Sequence, residues 1–438
     1  MTTAAAAQDP VPWRSWYTLA VMLTAYVLAF MDRQMLNLLV QPIKQSLGLS
    51  DTQISLLQGF AFALALSLVA LPLGRLIDTR RRTAILAAGV AVWSLMTAGC
   101  GVAASFPLLL LMRAGVAGGE AAMTPTALSI IGDAFPPRRI GIATGGYALG
   151  VHLGSGLALI VGALLLKVAN TSHVSLPGLG SLSGWRLVFV VMGVVGAPVA
   201  LWVALLHEPR RGGAAAAAQP IVSWPEVLRF LRRHGWTQAC ANLAVGFALM
   251  ANYGVSAWAP AFFARRFGWG PSAFGAAYGP LTILFGISGV LAASALGDRW
   301  RARGVLDARF RIMAITALAA APLLIAAPLA PTAAASLLLF AAAGFLNAAA
   351  VGSGPAVLQE IAPPRLRGIT HALALLTVNL IALGLGPTSV ALVTDYVLHD
   401  ERHVGIALAW VAPAALLVAA GFSLAGGGPF RRLLQTRS

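Results

Sequence analysis

Apolar runs of about 20 residues recur roughly twelve times along this chain, each long enough to cross ~30 Å of hydrocarbon. They lie near 16–40, 52–77, 83–104, 107–132, 139–168, 185–206, 236–264, 272–296, 310–329, 332–361, 367–393 and 404–426. Lipid offers an open backbone no hydrogen-bond partners, so these runs have to be helices. Only 10% of the residues are charged, where a soluble domain carries about a quarter, and the mean hydropathy is +0.81. The predicted fold class is an all-α polytopic membrane protein with 12 transmembrane helices in two pseudo-symmetric six-helix bundles.

A net charge of +16 would suggest nucleic acid on a soluble chain, but its placement gives another reading. Of the 30 Lys and Arg, six (Lys44, Lys167, Arg186, Arg265, Arg266 and Arg402) fall on one side of the predicted helices. Arg33 and Arg113 lie within helices, and the remaining 22 share the side of the two termini. This is the positive-inside pattern, which places both termini in the cytoplasm and leaves nucleic acid without a role. The start of the chain lacks the basic region of a cleaved signal, so the first run reads as a retained helix. Cys100 and Cys240 stand far apart in separate runs and form neither a disulfide framework nor a metal spacing.

The organisation reads as an N-tail 1–15, a first bundle 16–206, a linker 207–235, a second bundle 236–426 and a C-tail 427–438. The linker is Ala/Gly-rich and leads into a basic stretch that suits a short surface helix at Trp224–Arg233. Each half carries a related element: residues 133–142 read DAFPPRRIGI and residues 360–369 read EIAPPRLRGI. Superposing them aligns Asp133 with Glu360, and the same register lays Asn252 over Asp32 and Asn347 over Glu120. Duplication of this kind marks transporters whose halves rock about a midplane site.

Four charges sit inside the first half: Asp32 and Arg33 in the first run, Arg113 and Glu120 in the fourth. A charge near the bilayer centre costs several kcal/mol, so such residues face a protein interior or wet cavity and mark an ion or substrate path. Neighbours on a helix point about 100° apart, so one of Asp32 and Arg33 faces the central cavity and the other the seam with the fourth helix. Arg113 and Glu120 are seven residues apart, on one face, about 10 Å apart along the axis. An acid whose Arg partner can be taken by a substrate anion is a proton switch: once the anion holds Arg33, Glu120 favours protonation. Static ion pairs fixing two helices are the bland alternative, but buried pairs stabilise poorly and are replaceable by apolar residues. His152, in the fifth run, titrates near neutral pH and faces either the cavity or a packing partner. Asn252, Tyr253, Trp258, Asn347 and Asn379 suit interhelical hydrogen bonds and ligand contacts equally. Gly386-Pro387 predicts a hinge or kink.

The stretch Gly74-Arg-Leu-Ile-Asp78-Thr-Arg80-Arg-Arg82 resembles the loop between helices 2 and 3 of the major facilitator superfamily, with Thr79 where that pattern has a basic residue. The resemblance implies a conformational latch built on Gly74, Asp78, Arg80 and Arg82. Within that superfamily, Met31-Asp-Arg-Gln34, Leu47-Gly-Leu-Ser-Asp-Thr-Gln-Ile54 and Arg113-Ala-Gly-Val-Ala-Gly-Gly-Glu-Ala121 resemble the Spinster-like branch, which moves sphingolipids and lysolipids. Gly154-Ser-Gly-Leu157 and Gly184-Trp-Arg186 add to the match, which covers nearly the whole first half. The Asp-Arg and Arg-to-Glu elements are shared with organic-anion:proton symporters. The resemblance implies Asp32 and Glu120 as titrating acids, Arg33 as their partner or an anion's, and Arg113 as gate or relay. Substrate contacts are expected from Arg33, Glu120, His152, Asn252, Tyr253, Asn347 and Asn379.

The expected function is proton-coupled transport of a lysolipid-like or other amphipathic molecule by alternating access. A proton symporter for a small organic anion such as a sugar acid is the alternative. Protons are the coupling ion, no cofactor or metal is required, and the bilayer and the small-molecule substrate are the partners of a monomer. The scarcity of Lys against Arg suggests a GC-rich bacterial genome and an inner-membrane location. A membrane enzyme would need catalytic groups at a membrane face. The one cluster that could supply them, Asp395, His399, Asp400, Glu401, Arg402 and His403, reads better as a solvated loop whose replacement by alanine leaves transport intact. No Gly-x-x-x-x-Gly-Lys-Ser/Thr phosphate loop is present, which excludes a nucleotide-driven pump.

Overall fold

Helices dominate because each apolar run must satisfy its own backbone. The computed structural model describes residues 11–136, 138–171, 175–176, 180–181, 184–210 and 224–436, and twelve helices among them are long and apolar enough to span a membrane. In the first half these are α1 (Trp13–Leu38), α2 (Asp51–Ala70), α3 (Arg82–Val102), α4 (Phe106–Ala134), α5 (Ile140–Asn170) and α6 (Gly184–Ala204). The second half holds α7 (Pro225–Phe267), α8 (Pro271–Ala302), α9 (Ala308–Leu329), α10 (Ala333–Ile361), α11 (Leu373–Val397) and α12 (Glu401–Gln435). In the first bundle α3 packs on α6 and α4, and α1 on α5; in the second, α7 and α9 pack on α12, and α10 on α8 and α9. The halves meet where α5 lies on α8, α2 on α11 and α1 on α7.

Two boundaries differ from the sequence reading. The short helix expected at Trp224–Arg233 is present, but it runs without a break into α7 as one helix from Trp224 to Phe267 rather than standing apart from it. Gly235 is the one weak helix former near the join, and its cost of about 1 kcal/mol is small against the packing of such a long helix. The last helix likewise continues to Gln435, through most of the anticipated C-tail. The Ala/Gly stretch itself, and residues 1–10 of the N-tail, lie outside the described residues.

Two helices at the interface of the halves carry wide turns. Leu56–Phe60 in α2 and Leu380–Leu385 in α11 are π-helical and lie against each other. Such turns recur at functional positions in membrane helices. Gly59 permits the approach, since a β-carbon there would collide with the Leu383 carbonyl. The wide turn of α11 ends at Gly386-Pro387, where the ring of Pro387 blocks regular helical hydrogen bonding. The expected kink is therefore present as a change of helix type.

The internal repeat appears in the ion pairs on the face that carries the termini. In the first half Arg82, almost fully buried, donates to the Asp133 carboxylate, to Glu208 at 2.9 Å and to Ser129 Oγ at 2.9 Å. In the second half Glu360, aligned with Asp133, takes Arg301 at 2.6 Å and Arg309 at 3.6 Å. Burial works against the Glu208 charge, but the Arg82 guanidinium outweighs it and holds the carboxyl below its ordinary value. A carboxylate depressed in the fold contributes stability that is complete above its unfolded value and is lost as pH falls through the folded one. Thermal unfolding in detergent between about pH 5 and pH 3 should therefore fall more steeply for the native chain than for Glu208→Gln. Parallel slopes would remove Glu208 from the acid sensitivity of the fold.

Candidate functional site: a charged centre between the halves

Helix α1 places its two charges on different neighbours. Asp32 is 1% exposed, and its Oδ2 accepts a hydrogen bond from Thr97 Oγ1 of α3 at 3.2 Å. Arg33, turned by about 100°, keeps 14% of its side chain exposed and forms an ion pair with Glu120 of α4. The divergence of the two side chains follows the sequence reading, but the inner seam is with α3. The residue with access is the cation.

Arg113 is fully buried on the same face of α4 as Glu120, about two turns away, and none of its guanidinium nitrogens has a hydrogen-bond partner among the described residues. Asp32 and Glu120 both lie within electrostatic range of it. Phe62 of α2 lies against both cations: the Arg33 Cζ stands 4.6 Å from its ring centroid and the Arg113 Cζ 5.3 Å. Phe30 adds a second ring at 4.8 Å from Arg33. Guanidinium groups are attracted to aromatic faces, so Phe62 favours both without neutralising either. Tyr26, stacked on Tyr147 with centroids 4.3 Å apart, and Tyr253 of α7 complete the surroundings of Arg33. The sequence reading missed Phe62 because an apolar residue in an apolar run carries no signal.

The other predicted contacts divide into two groups. His152 and Asn252 line one chamber between the halves, with Gln34, Ser256 and Tyr278, which the sequence reading did not single out. The His152 imidazole packs against Gly286, where any β-carbon would overlap it. Asn347 is buried and donates to the Ala248 carbonyl at 3.0 Å, joining α10 to α7. That bond is the neutral counterpart of Arg33–Glu120, which joins α1 to α4 in the other half. Trp258 is also buried, its Nε1 donating to the Pro387 carbonyl at 2.9 Å. Asn379 is half-buried where the π turn of α11 begins and does not line the chamber.

A second charged cluster closes the face opposite the termini. Asp51, with no exposure, accepts from both Arg265 nitrogens at 2.6 and 2.7 Å and from Lys44 at 2.6 Å. Glu401 pairs with Lys44, and its carbonyl accepts from Arg265 at 3.0 Å. Asp395 accepts from the backbone and hydroxyl of Thr52 at 2.8 and 2.7 Å. Gln58 donates across to the Ala257 carbonyl at 3.1 Å, and Ser272 to the Ala163 carbonyl at 3.1 Å. These bonds join the two halves, so the loop expected to be merely solvated contributes Asp395 and Glu401 to an inter-domain seal. The predicted latch lies on the other face. There Arg82 ties α3 to α4 and to the segment after α6, Gly74 and Arg80 are exposed, and the Asp78 side chain lies outside the described residues.

Within this charged centre Arg33 is the accessible cation, with the buried Glu120 carboxylate on one of its nitrogens and its Nε without a hydrogen-bond partner among the described residues. Among the described residues no three His, Cys, Asp or Glu side chains converge on a point where a metal could sit. The fold and this site have relatives. A "MFS-type efflux pump" of Mycolicibacterium smegmatis is 29% identical over 414 residues, covering 93% of this chain and 92% of that protein. "Protein spinster homolog 3" of Homo sapiens is 27% identical over 390 residues, 83% of this chain and 72% of that one. A crystal structure of a bacterial homologue of the human lysosomal transporter Spinster, inward-facing and unoccupied, superposes with a TM-score of 0.75 at 28% identity and covers 98% of both chains. The sequence model of the Major Facilitator Superfamily matches residues 22–387. The chain belongs to that superfamily, as a Spinster-like membrane transporter.

Proposed function

We propose that the chain couples protons to the movement of an anionic amphipath, lysolipid-like in character, by alternating access. The observation that carries this reading is the Arg33–Glu120 pair, in which the cation alone keeps access and the acid is buried behind it. A substrate phosphate or carboxylate on Arg33 displaces Glu120, and a buried acid stripped of its cation takes a proton rather than stand charged. When the anion leaves, the pair re-forms and the proton is released. The bonds of Asp51 to Arg265 support a state closed on the side opposite the termini. The excess of basic residues on the side of the termini supports cytoplasmic termini in a bacterial inner membrane. The protein acts as a monomer, since the site is completed by its own two halves.

The reading is tested in proteoliposomes with a pH dye inside, to which lysophosphatidylglycerol, sphingosine phosphate and D-gluconate are added in turn. Substrate-dependent proton movement with the amphipaths is the expected result. Movement with gluconate alone would transfer the chain to the organic-anion symporters, and none with any anion would defeat the coupling scheme.

A further inference from the structure

The chamber that holds His152 and Asn252 has more polar groups than packing requires. It is a cavity of about 80 Å³ between α1 and α5 on one side and α7, α8 and α10 on the other. Gln34 and His152 face it from the first half, and Asn252, Ser256 and Tyr278 from the second. Among the described residues the side chains of His152, Asn252, Ser256 and Tyr278 make no hydrogen bond within the protein. An amide, two hydroxyls and an imidazole left without partners in a half-buried space are set to meet the donors and acceptors of a ligand. Ser155 and Thr282 add two more hydroxyls, and the rest of the wall is apolar, with Phe274, Leu281 and Phe285. No Asp, Glu, Lys or Arg lines it.

The position of the chamber matters as much as its composition. Gln34 directly follows Arg33, and Asn252 directly precedes Tyr253, which lies within electrostatic range of the Arg33 guanidinium. Neighbouring side chains point about 100° apart, so Arg33 lies to one side of the chamber wall at Gln34, and a ligand whose anion reached Arg33 and that extended into the chamber would meet these uncharged groups. Neutral hydrogen-bonding groups next to aromatic rings fit a segment that presents O–H along one side and C–H along the other. A quaternary ammonium head would find no carboxylate in the chamber to balance it.

We infer that the chamber is a polyol subsite, so that the transported anion carries vicinal hydroxyl groups next to its charge. A glycerol-type phosphate headgroup and a free sugar acid share this chemistry. The inference rests on the anion reading above and names the class of substrate.

The test is equilibrium binding to the full chain in nanodiscs, with empty discs as the blank and no proton gradient. The probes are lysophosphatidylglycerol, lysophosphatidylcholine and dodecyl phosphate, with lysolipid chains matched to the dodecyl group, and D-gluconate. A site built to hydrogen-bond hydroxyls rejects an analogue that lacks them, so lysophosphatidylglycerol should bind at least about tenfold more tightly than dodecyl phosphate. Gluconate binding alongside it would identify the free acid as a source, and gluconate silence would leave the lipid headgroup. Asn252→Leu and, separately, Ser256→Ala should shrink that preference while dodecyl phosphate still binds, which also reports an intact fold. Dodecyl phosphate or lysophosphatidylcholine binding as tightly as lysophosphatidylglycerol would overturn the polyol subsite and leave the anion reading in place. A preference unchanged in both variants would do the same. Lysophosphatidylcholine binding with all the other probes silent would overturn both.

Discussion

Glu120→Gln should abolish substrate-driven proton movement while binding the anionic substrate about tenfold more tightly, ~1.4 kcal/mol. The two effects have one cause. In the native chain Glu120 holds one nitrogen of Arg33, so an incoming anion competes for the guanidinium with a charge-assisted hydrogen bond. Glutamine is nearly the same size but neutral, so it competes weakly for the guanidinium and has no proton to exchange. Aspartate at the same position keeps the charge but shortens the reach, and should lower the rate without removing the coupling. Proton movement measured with the internal dye, and anion affinity measured without a gradient, separate the two halves of the prediction. If proton movement persists in Glu120→Gln, the coupling acid is elsewhere, and Asp32 is the other carboxylate of the charged centre. If affinity falls instead of rising, Glu120 supports the substrate rather than competing with it.

The main outline of this site was legible from the chain because charge inside an apolar run is a conspicuous signal. Asp32, Arg33, Arg113 and Glu120 stand out for that reason, and the helical repeat already separates the directions of the first two. The fold was equally accessible, since span length and the distribution of Lys and Arg are set by the bilayer rather than by packing. The pairing of Asp133 and Glu360 with arginines in their own halves shows that the alignment of the repeats had structural content.

What could not be read has a physical pattern as well. Phe62 is one phenylalanine among many apolar residues, and only its contact with two guanidinium groups gives it a role. Asn347 and Trp258 were open between ligand contact and interhelical bond; each makes a bond to a backbone carbonyl. Their composition could not decide this, because the acceptors belong to residues about a hundred positions away. The outer seal was hidden for a related reason. Lys44, Asp51, Arg265 and Glu401 all lie near helix ends, where charge is ordinary, and they become a network only when two pseudo-symmetric halves are docked.

That docking makes Asp51→Asn the substitution with the largest expected effect on conformation. The carboxylate is completely buried and serves Arg265 through both oxygens as well as Lys44. Removing one partner of a buried ion pair costs about 3–5 kcal/mol, because the remaining charges are left without compensation. Glu401 would then have to serve both cations, and its carboxylate is 54% exposed and screened by water. The cost falls on the state in which this face is closed and disappears when the halves part. Since about 5.5 kcal/mol carries a two-state equilibrium from one per cent to ninety-nine, a loss of this size moves the population by roughly two to four orders of magnitude. Spin labels at cysteines replacing Gln45 and Gly270, both exposed and on opposite halves of this face, would report the change as a longer distance. Cys100 and Cys240 are both buried and should label little. Substrate transport should fall by at least about tenfold, because a carrier held in one state cannot complete its cycle. Glu401→Gln should widen the distance much less, as an exposed partner contributes about 0–1 kcal/mol. An unchanged distance in Asp51→Asn would mean that the apolar contacts of α5 with α8 and of α2 with α11 hold this face closed by themselves, and that the charged cluster only decorates it.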